Sequence, residues 1–294
     1  MKSVRSSLRY LLADLIGEDE GEPPFLPVGL PDAAAPAVSE GIHLLMEYQG
    51  AGYAQLYVDR IKRFVRRSNV DAVTLSEIAQ LLAARMAYED PIRIAQLKLL
   101  DLATRRSGGG HEIDDLRRFR LDELIGVLPQ ALADSLLAGF EQIGWLGRRR
   151  LTVRFSTRSR LRIRRLRLMA GLRRWRLQSV RYAEERAWAE RWLHMIARAL
   201  DKQPAAVHAV IATATMIQGQ GDIYRQGLAD WHAIIDGLAK PTFDGVLPMS
   251  DLAAAIAEAR GAAMPDPRQA ALKRAIAQIR ARALDAGPNS HAAE

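Results

Sequence analysis

Between Gln142 and Ala183 the chain carries fourteen arginines and not one acid. The formal charge of the whole chain is +8, so the remaining residues together are acidic, at about −6. The basic character belongs to one segment rather than to the molecule. Such a segment can be a solvated arm whose arginines neutralise phosphates, with Trp175 and Tyr182 near for stacking. It can also be a structured helix whose polar face is solvated or meets an acidic protein. Apolar residues recur through it at helical steps, which a tail selected only for charge would not need. The best seam runs through Leu168, Leu172, Trp175, Ser179, Tyr182, Arg186, Ala189, Leu193, Ile196 and Leu200. One long helix from about Ser159 to Leu200, or two broken near Gly171, is therefore predicted, with Leu168, Leu172 and Trp175 on its buried side.

The rest reads as helix too. Ala, Leu and Arg dominate while aromatics are 6%, a composition with strong helix preference and little for strands. Val4, Leu8, Leu11, Leu12 and Leu15 suit a short amphipathic helix, followed by an acidic, then Pro/Gly/Ala-rich linker. Residues 1–38 are assigned to that helix and linker, 39–286 to a helical domain, and 287–294 to a disordered tail. Tyr53, Leu56, Tyr57, Ile61 and Phe64 share one helix face. Thr74 and Glu77 have capping-box spacing. Asp90-Pro91 starts a helix with Ile94, Leu97 and Leu100 inward. Gly108–Gly110 breaks the chain, and Pro129 splits two short helices, Leu121–Leu128 and Ala131–Ile143. Leu151–Phe155 alternates like a short strand. Pro204 opens a helix bearing Val207, Val210, Ile211, Ala214 and Ile217. A further helix with Tyr224, Leu228, Trp231, Ile235 and Leu238 ends at Gly237 and Pro241. Leu252–Ala259 and Arg268–Leu284 close the chain. The fold class is mainly α, with little or no sheet.

With no cysteine, disulfides, cysteine-ligated iron–sulfur clusters and thiolate zinc sites are excluded. The six histidines show no zinc-ligand spacing, no Gly-x-Ser-x-Gly occurs, and no catalytic or metal residue is assigned. Gly219-Gln-Gly-Asp222 could cradle an anion ahead of a helix, but no strand precedes it as a dinucleotide fingerprint requires. An interhelical turn with Asp222 as N-cap is the simpler reading. Trp188 and Trp192 share a helix face as core or interface anchors. No apolar run spans a bilayer, and a cytoplasmic location is expected.

Four passages, in order, resemble one family. Leu44-Leu-Met-Glu-Tyr-Gln-Gly-Ala-Gly-Tyr-Ala-Gln-Leu-Tyr57 is similar to its DYQD-xxYAxxY helix pair, and Arg85-Met-Ala-Tyr-Glu-Asp90 to its MAYED turn. Ala170-Gly-Leu-Arg-Arg-Trp175 with Arg181-Tyr-Ala-Glu-Glu185 resembles AGLRRWRxxSxRxxEE. Gly219–Asp222 through Gly227-Leu-Ala-Asp230 resembles KGYGDTxxRGLAN, with Gln218 and Gln220 in place of Lys and Tyr. The family is the helical C-terminal region of indolepyruvate oxidoreductase subunit beta, and the likeness covers roughly residues 40–280. It implies a component of an aryl 2-oxoacid:ferredoxin oxidoreductase. The glycine-rich catalytic domain and the thiamine–magnesium motif are missing here. The resemblance therefore implies a non-catalytic accessory or assembly domain that binds no cofactor itself. Thiamine diphosphate and iron–sulfur clusters would sit on partner subunits, the thiamine-binding and glycine-rich catalytic ones. The alternative is a free-standing basic protein that binds nucleic acid or another polyanion without reading sequence. Ligand or interface candidates are Tyr48, Tyr53, Tyr88, Asp90 and Arg93, with Arg173, Arg174 and Trp175, and Gly219, Gly221 and Asp222.

Overall fold

In the computed structural model, which describes residues 21–106, 114–145 and 149–286, the chain is a helical body with one two-stranded antiparallel hairpin. The helix expected over 4–16, the Gly108–Gly110 break and the tail at 287–294 lie outside those residues. The folded body starts earlier than Ser39: a 3-10 turn, Asp32–Ala34, leads into α1 (Ala35–Tyr48), and Ala34, Ala37 and Val38 are already core. Pro36 causes no break because it sits in the first turn, where its missing N–H is not needed.

Helices α2 (Ala51–Val65) and α3 (Ala72–Met86) follow and pack with α1. Their inward residues, among them Leu45, Tyr57, Ile61, Ile78 and Leu82, have the spacing of one helix face and are fully buried. The cap of α3 differs from expectation. Helix begins at Ala72, so Asp71 is the N-cap and accepts from the Thr74 N–H at 2.8 Å. Thr74 falls inside the first turn and is buried. Helix α4 (Pro91–Arg106) starts at Pro91 as expected, with Asp90 accepting from the Arg93 N–H at 2.6 Å. Its inward residues are Ile92, Ile94 and Ala95; Leu97 and Leu100 are exposed.

Strand β1 (Asp114–Arg120) pairs with β2 (Arg150–Ser156), Arg117 facing Val153 and Phe119 facing Leu151. Between them lie α5 (Leu121–Gly126) and α6 (Gln130–Gln142), split at Pro129. The arginine segment forms α7 (Arg160–Gly171), then a 3-10 stretch, Leu172–Gln178, then α8 (Val180–Lys202). So the break near Gly171 exists, but the buried side is not the expected one. Leu168 is 72% exposed and Trp175 51%, with Leu172 also outward. Leu166 and Arg176 point inward instead. From Ser179 on, the seam is core at Ala189, Leu193, Ile196 and Leu200, while Arg186 faces out.

Helix α9 (Val207–Ala212) and a 3-10 turn lead to the Gly219–Gly221 turn and α10 (Gly221–Ile234). Helix does not stop at Gly237 or Pro241. It widens into a π-helical turn, Ile235–Ala239, and continues through Lys240–Phe243. Pro241 has no N–H for the carbonyl four residues back. That carbonyl, Gly237 O, accepts from Arg280 Nη1 at 2.8 Å instead. A Cβ on Gly237 would come within 2.9 Å of Ile276, so this close helix crossing requires glycine. Arg280 and Ile276 belong to α12 (Ala270–Ala286), reached through α11 (Leu252–Gly261).

Two cores result. The larger joins α1–α3 to α8–α12. A small one of Ile94, Ala95, Phe119, Val153, Phe155 and Leu166 lies under α4, the hairpin and α7.

Candidate functional site

The arginine segment is fastened to the body by Arg176, 1% exposed and the deepest of its cations. Its Nε and Nη2 bind the two oxygens of Asp90 at 2.8 and 3.1 Å. Its Nη1 reaches Tyr48 O at 3.0 Å and Gln49 Oε1 at 3.1 Å, and Nη2 also reaches Gln96 Oε1 at 3.4 Å. The guanidinium lies 4.0 Å from the centre of the Tyr48 ring. Gln49 completes the joint by donating to Arg173 O at 2.9 Å. Burial acts to lower the Arg176 pKa, but the neighbouring tyrosines and Asp90 outweigh it and keep the charge on. Every N–H of the fork is used, so Arg176 has nothing left for a ligand: it is a latch between the 3-10 stretch, the end of α1 and the start of α4.

Five of the sequence candidates gather here. Tyr48 packs against Tyr53 and Tyr88, with ring centres 5.9 and 5.7 Å apart. Burial drives the phenols of all three well above their ordinary value, so they stay neutral. Tyr53 donates to Met86 O at 3.0 Å. Arg93 pairs with Glu47 at 2.8 Å beside the latch. Arg174 and Trp175 point away, to the exposed side. Gly219 and Gly221, with φ of 70° and 65°, shape a turn at the start of α10, apart from the latch. Asp222 is not the N-cap. Gln220 holds that position, and Asp222, one residue into the helix, binds Arg120 at 3.0 Å and Arg150 at 2.6 Å.

Beside the latch opens a cleft of about 590 Å³. Its floor is the face of α8 that carries Arg181, Glu184, Trp188 and Arg191, spaced three and four apart. One wall is α10, the other β1, α5 and α6, joined by Arg225 to Asp122 at 2.8 Å. Sequence reasoning missed this cleft and also Arg176, which is one of fourteen like charges.

Three groups in the cleft are not fully used by the chain. Trp188 is 4% exposed, stacked on Trp192 at 5.8 Å and edge-on to Trp231 at 5.3 Å, yet its indole N–H has no acceptor among the described residues. The Gln220 side-chain N–H₂, buried at the tip of α10, has none either, and Gln220 makes no capping bond. Glu184, exposed at the rim, forms no hydrogen bond or ion pair among the described residues, and partial desolvation raises its carboxyl above the ordinary value despite Arg181 nearby. Arg181 forms an ion pair with Glu185 at 2.8 Å and lies 3.5 Å over the Tyr224 ring. No group of three or more potential metal ligands occurs among the described residues.

Neither the curated proteins nor the solved structures contain a match. One family model does match, over residues 34–237, which takes in the latch, the cleft and the arginine segment but stops short of α11 and α12. That span is well over half of the chain, and the chain accordingly belongs to the family of unknown function DUF6537.

Proposed function

We propose that this chain is a non-catalytic accessory domain that docks on an acidic protein surface through the outer face of α7 and the 3-10 stretch. The observation that carries the reading is the exposed stripe Leu161, Leu168, Leu172 and Trp175, at steps of seven, four and three. Arg160, Arg164, Arg165, Arg167 and Arg174 surround it, exposed and bonded to no acid among the described residues. Phosphate binding needs only the cations. A line of leucines ending in a tryptophan fits a protein interface, where aromatic and arginine residues dominate the energy. A partner of opposite charge would both steer and hold it. The four ordered motifs point to which partner: the thiamine-binding and glycine-rich catalytic subunits of an indolepyruvate (aryl 2-oxoacid):ferredoxin oxidoreductase.

The test combines binding and turnover. The purified chain is expected to co-sediment with those subunits, and to oxidise no indolepyruvate alone when given CoA, thiamine diphosphate, magnesium and an electron acceptor. Leu168→Asp and Trp175→Ala should abolish co-sedimentation while leaving the melting temperature within a few degrees, because neither side chain is core. Turnover by the chain alone, or binding that ignores both variants, overturns the proposal. A sub-micromolar nucleic-acid complex at near-physiological salt would put polyanion binding in its place.

A further inference from the structure

We propose that the cleft between α8, α10 and α5–α6 is a binding site for an apolar monocarboxylate, a hydrocarbon or aryl body ending in one carboxylate. The claim is independent of the docking face, which lies on α7.

It begins from a surplus of donors. Leaving a buried N–H without an acceptor is costly, and native proteins leave few of them. Here two line one cleft: the Trp188 indole N–H, on a side chain more than nine-tenths buried, and the Gln220 side-chain N–H₂. Gln220 occupies the N-cap of the 14-residue α10, where a side chain would ordinarily bond the first turn, and it does not. The helix thus presents its positive end at the same place. Arg181, seven residues before Trp188 on the same face of α8, adds a guanidinium. Its stack on Tyr224 and its ion pair with Glu185 fix its position. These are the groups a carboxylate takes: planar N–H donors, one cation, and a helix N-terminus.

The acids of the cleft do not oppose this. Asp122 is held by Arg225 and Arg120, Glu123 by Arg225, Glu89 by Arg117 and Asp90 by Arg176. Glu184 is exposed to solvent at the rim, with Arg181 nearby to offset its charge. Each of the three guanidiniums lining the cleft is already paired with a carboxylate, Arg181 with Glu185, Arg191 with Asp236 and Arg225 with Asp122, which leaves too little spare charge for a phosphate dianion. The remaining surface asks for hydrocarbon: Phe119, Val127, Leu137, Ala187 and Leu228 line it. A volume of about 590 Å³ is within the range of small-molecule pockets.

The experiment titrates the full chain with 3-phenylpropionate and with octanoate, followed by calorimetry and tryptophan fluorescence, with 3-phenylpropionamide as the uncharged counterpart. Saturable one-to-one binding of at least one acid is expected, with the amide at least about tenfold weaker. Gln220→Leu should weaken the acid about tenfold; since Gln220 caps nothing, circular dichroism and melting should be unchanged. Trp188→Phe keeps an aromatic ring but removes the pyrrole portion with its N–H, and should weaken the acid similarly while weakening the amide less. No saturable binding by either acid, an amide that binds as tightly as its acid, or a folded Gln220→Leu variant with unaltered affinity would each overturn the proposal.

Discussion

Arg176 is buried with every N–H bonded, whereas Glu184, eight residues further on, has no bonded partner among the described residues. The difference has a measurable sign. Partial desolvation raises the Glu184 carboxyl above its ordinary value of 4.5. Between the ordinary and the raised value the folded chain holds the proton more than the unfolded chain does, so stability falls as pH rises through that window. The deficit is complete above it and absent below it. Glu184→Gln removes it. The variant is expected to melt higher than the parent at pH 7 to 8, and the two melting temperatures should converge below about pH 4. A gap that stays constant with pH would assign the effect to packing rather than to ionisation.

At the scale of elements, the latch decides whether the 3-10 stretch stays attached. Removing one member of a buried ion pair leaves the other uncompensated, at a cost of about 3–5 kcal/mol. Arg176→Ala is expected in that range by urea unfolding. Arg176→Lys should recover little, because an ammonium cannot span both oxygens of Asp90. A cost below about 1 kcal/mol for either would mean that Asp90 finds other donors. Charge and spacing did not distinguish Arg176 from its thirteen neighbours, although it falls on the arginine that follows the tryptophan in the AGLRRWR passage; the fold shows why that one is buried. The helices themselves were legible, because Pro91, Pro129 and the Gly219 turn punctuate clear apolar periodicity. The buried side of α7 was not. Leu161, Leu168 and Leu172 form one apolar stripe, and Ile163, Leu166, Met169 and Ala170 form another, so periodicity alone could not say which one meets the core. Strand β1, with charge at five of its seven positions, carries no strand signal until β2 lies beside it. Five of the candidate residues did converge on one place, around an arginine that was not among them. The cleft escaped notice because its three free groups come from α8 and the tip of α10, and no local pattern links Trp188 to Gln220.

At the scale of the molecule, the two cores differ in what holds them. The larger buries aliphatic and aromatic side chains of eight helices, α1–α3 and α8–α12; the smaller has six buried residues. Between them run the Arg176 latch, one β-bridge from Pro129 to Ser179, and ion pairs such as Arg120 and Arg150 with Asp222. Half-exposed ion pairs of this kind contribute about 0–1 kcal/mol each and are screened by salt. The hairpin and α7 should therefore open as a unit before the main body does. A helix docked along its whole length from about Ser159 to Leu200, as the sequence suggested, would protect residues 160–182 as well as 186–200. The packing points elsewhere: α7 rests on the small core mainly through Leu166, while α8 has Trp192, Leu193 and Ile196 inside the large one. Native-state hydrogen exchange is expected to show slowest amides in α8, faster ones in β1, β2 and α7, and a gap that widens with added salt. Arg176→Ala should speed exchange in α7 and the 3-10 stretch without reaching 186–200. Equal protection across both regions, moving together in that variant, would show one cooperative unit and would make the latch a detail of packing rather than the fastening of a separable layer.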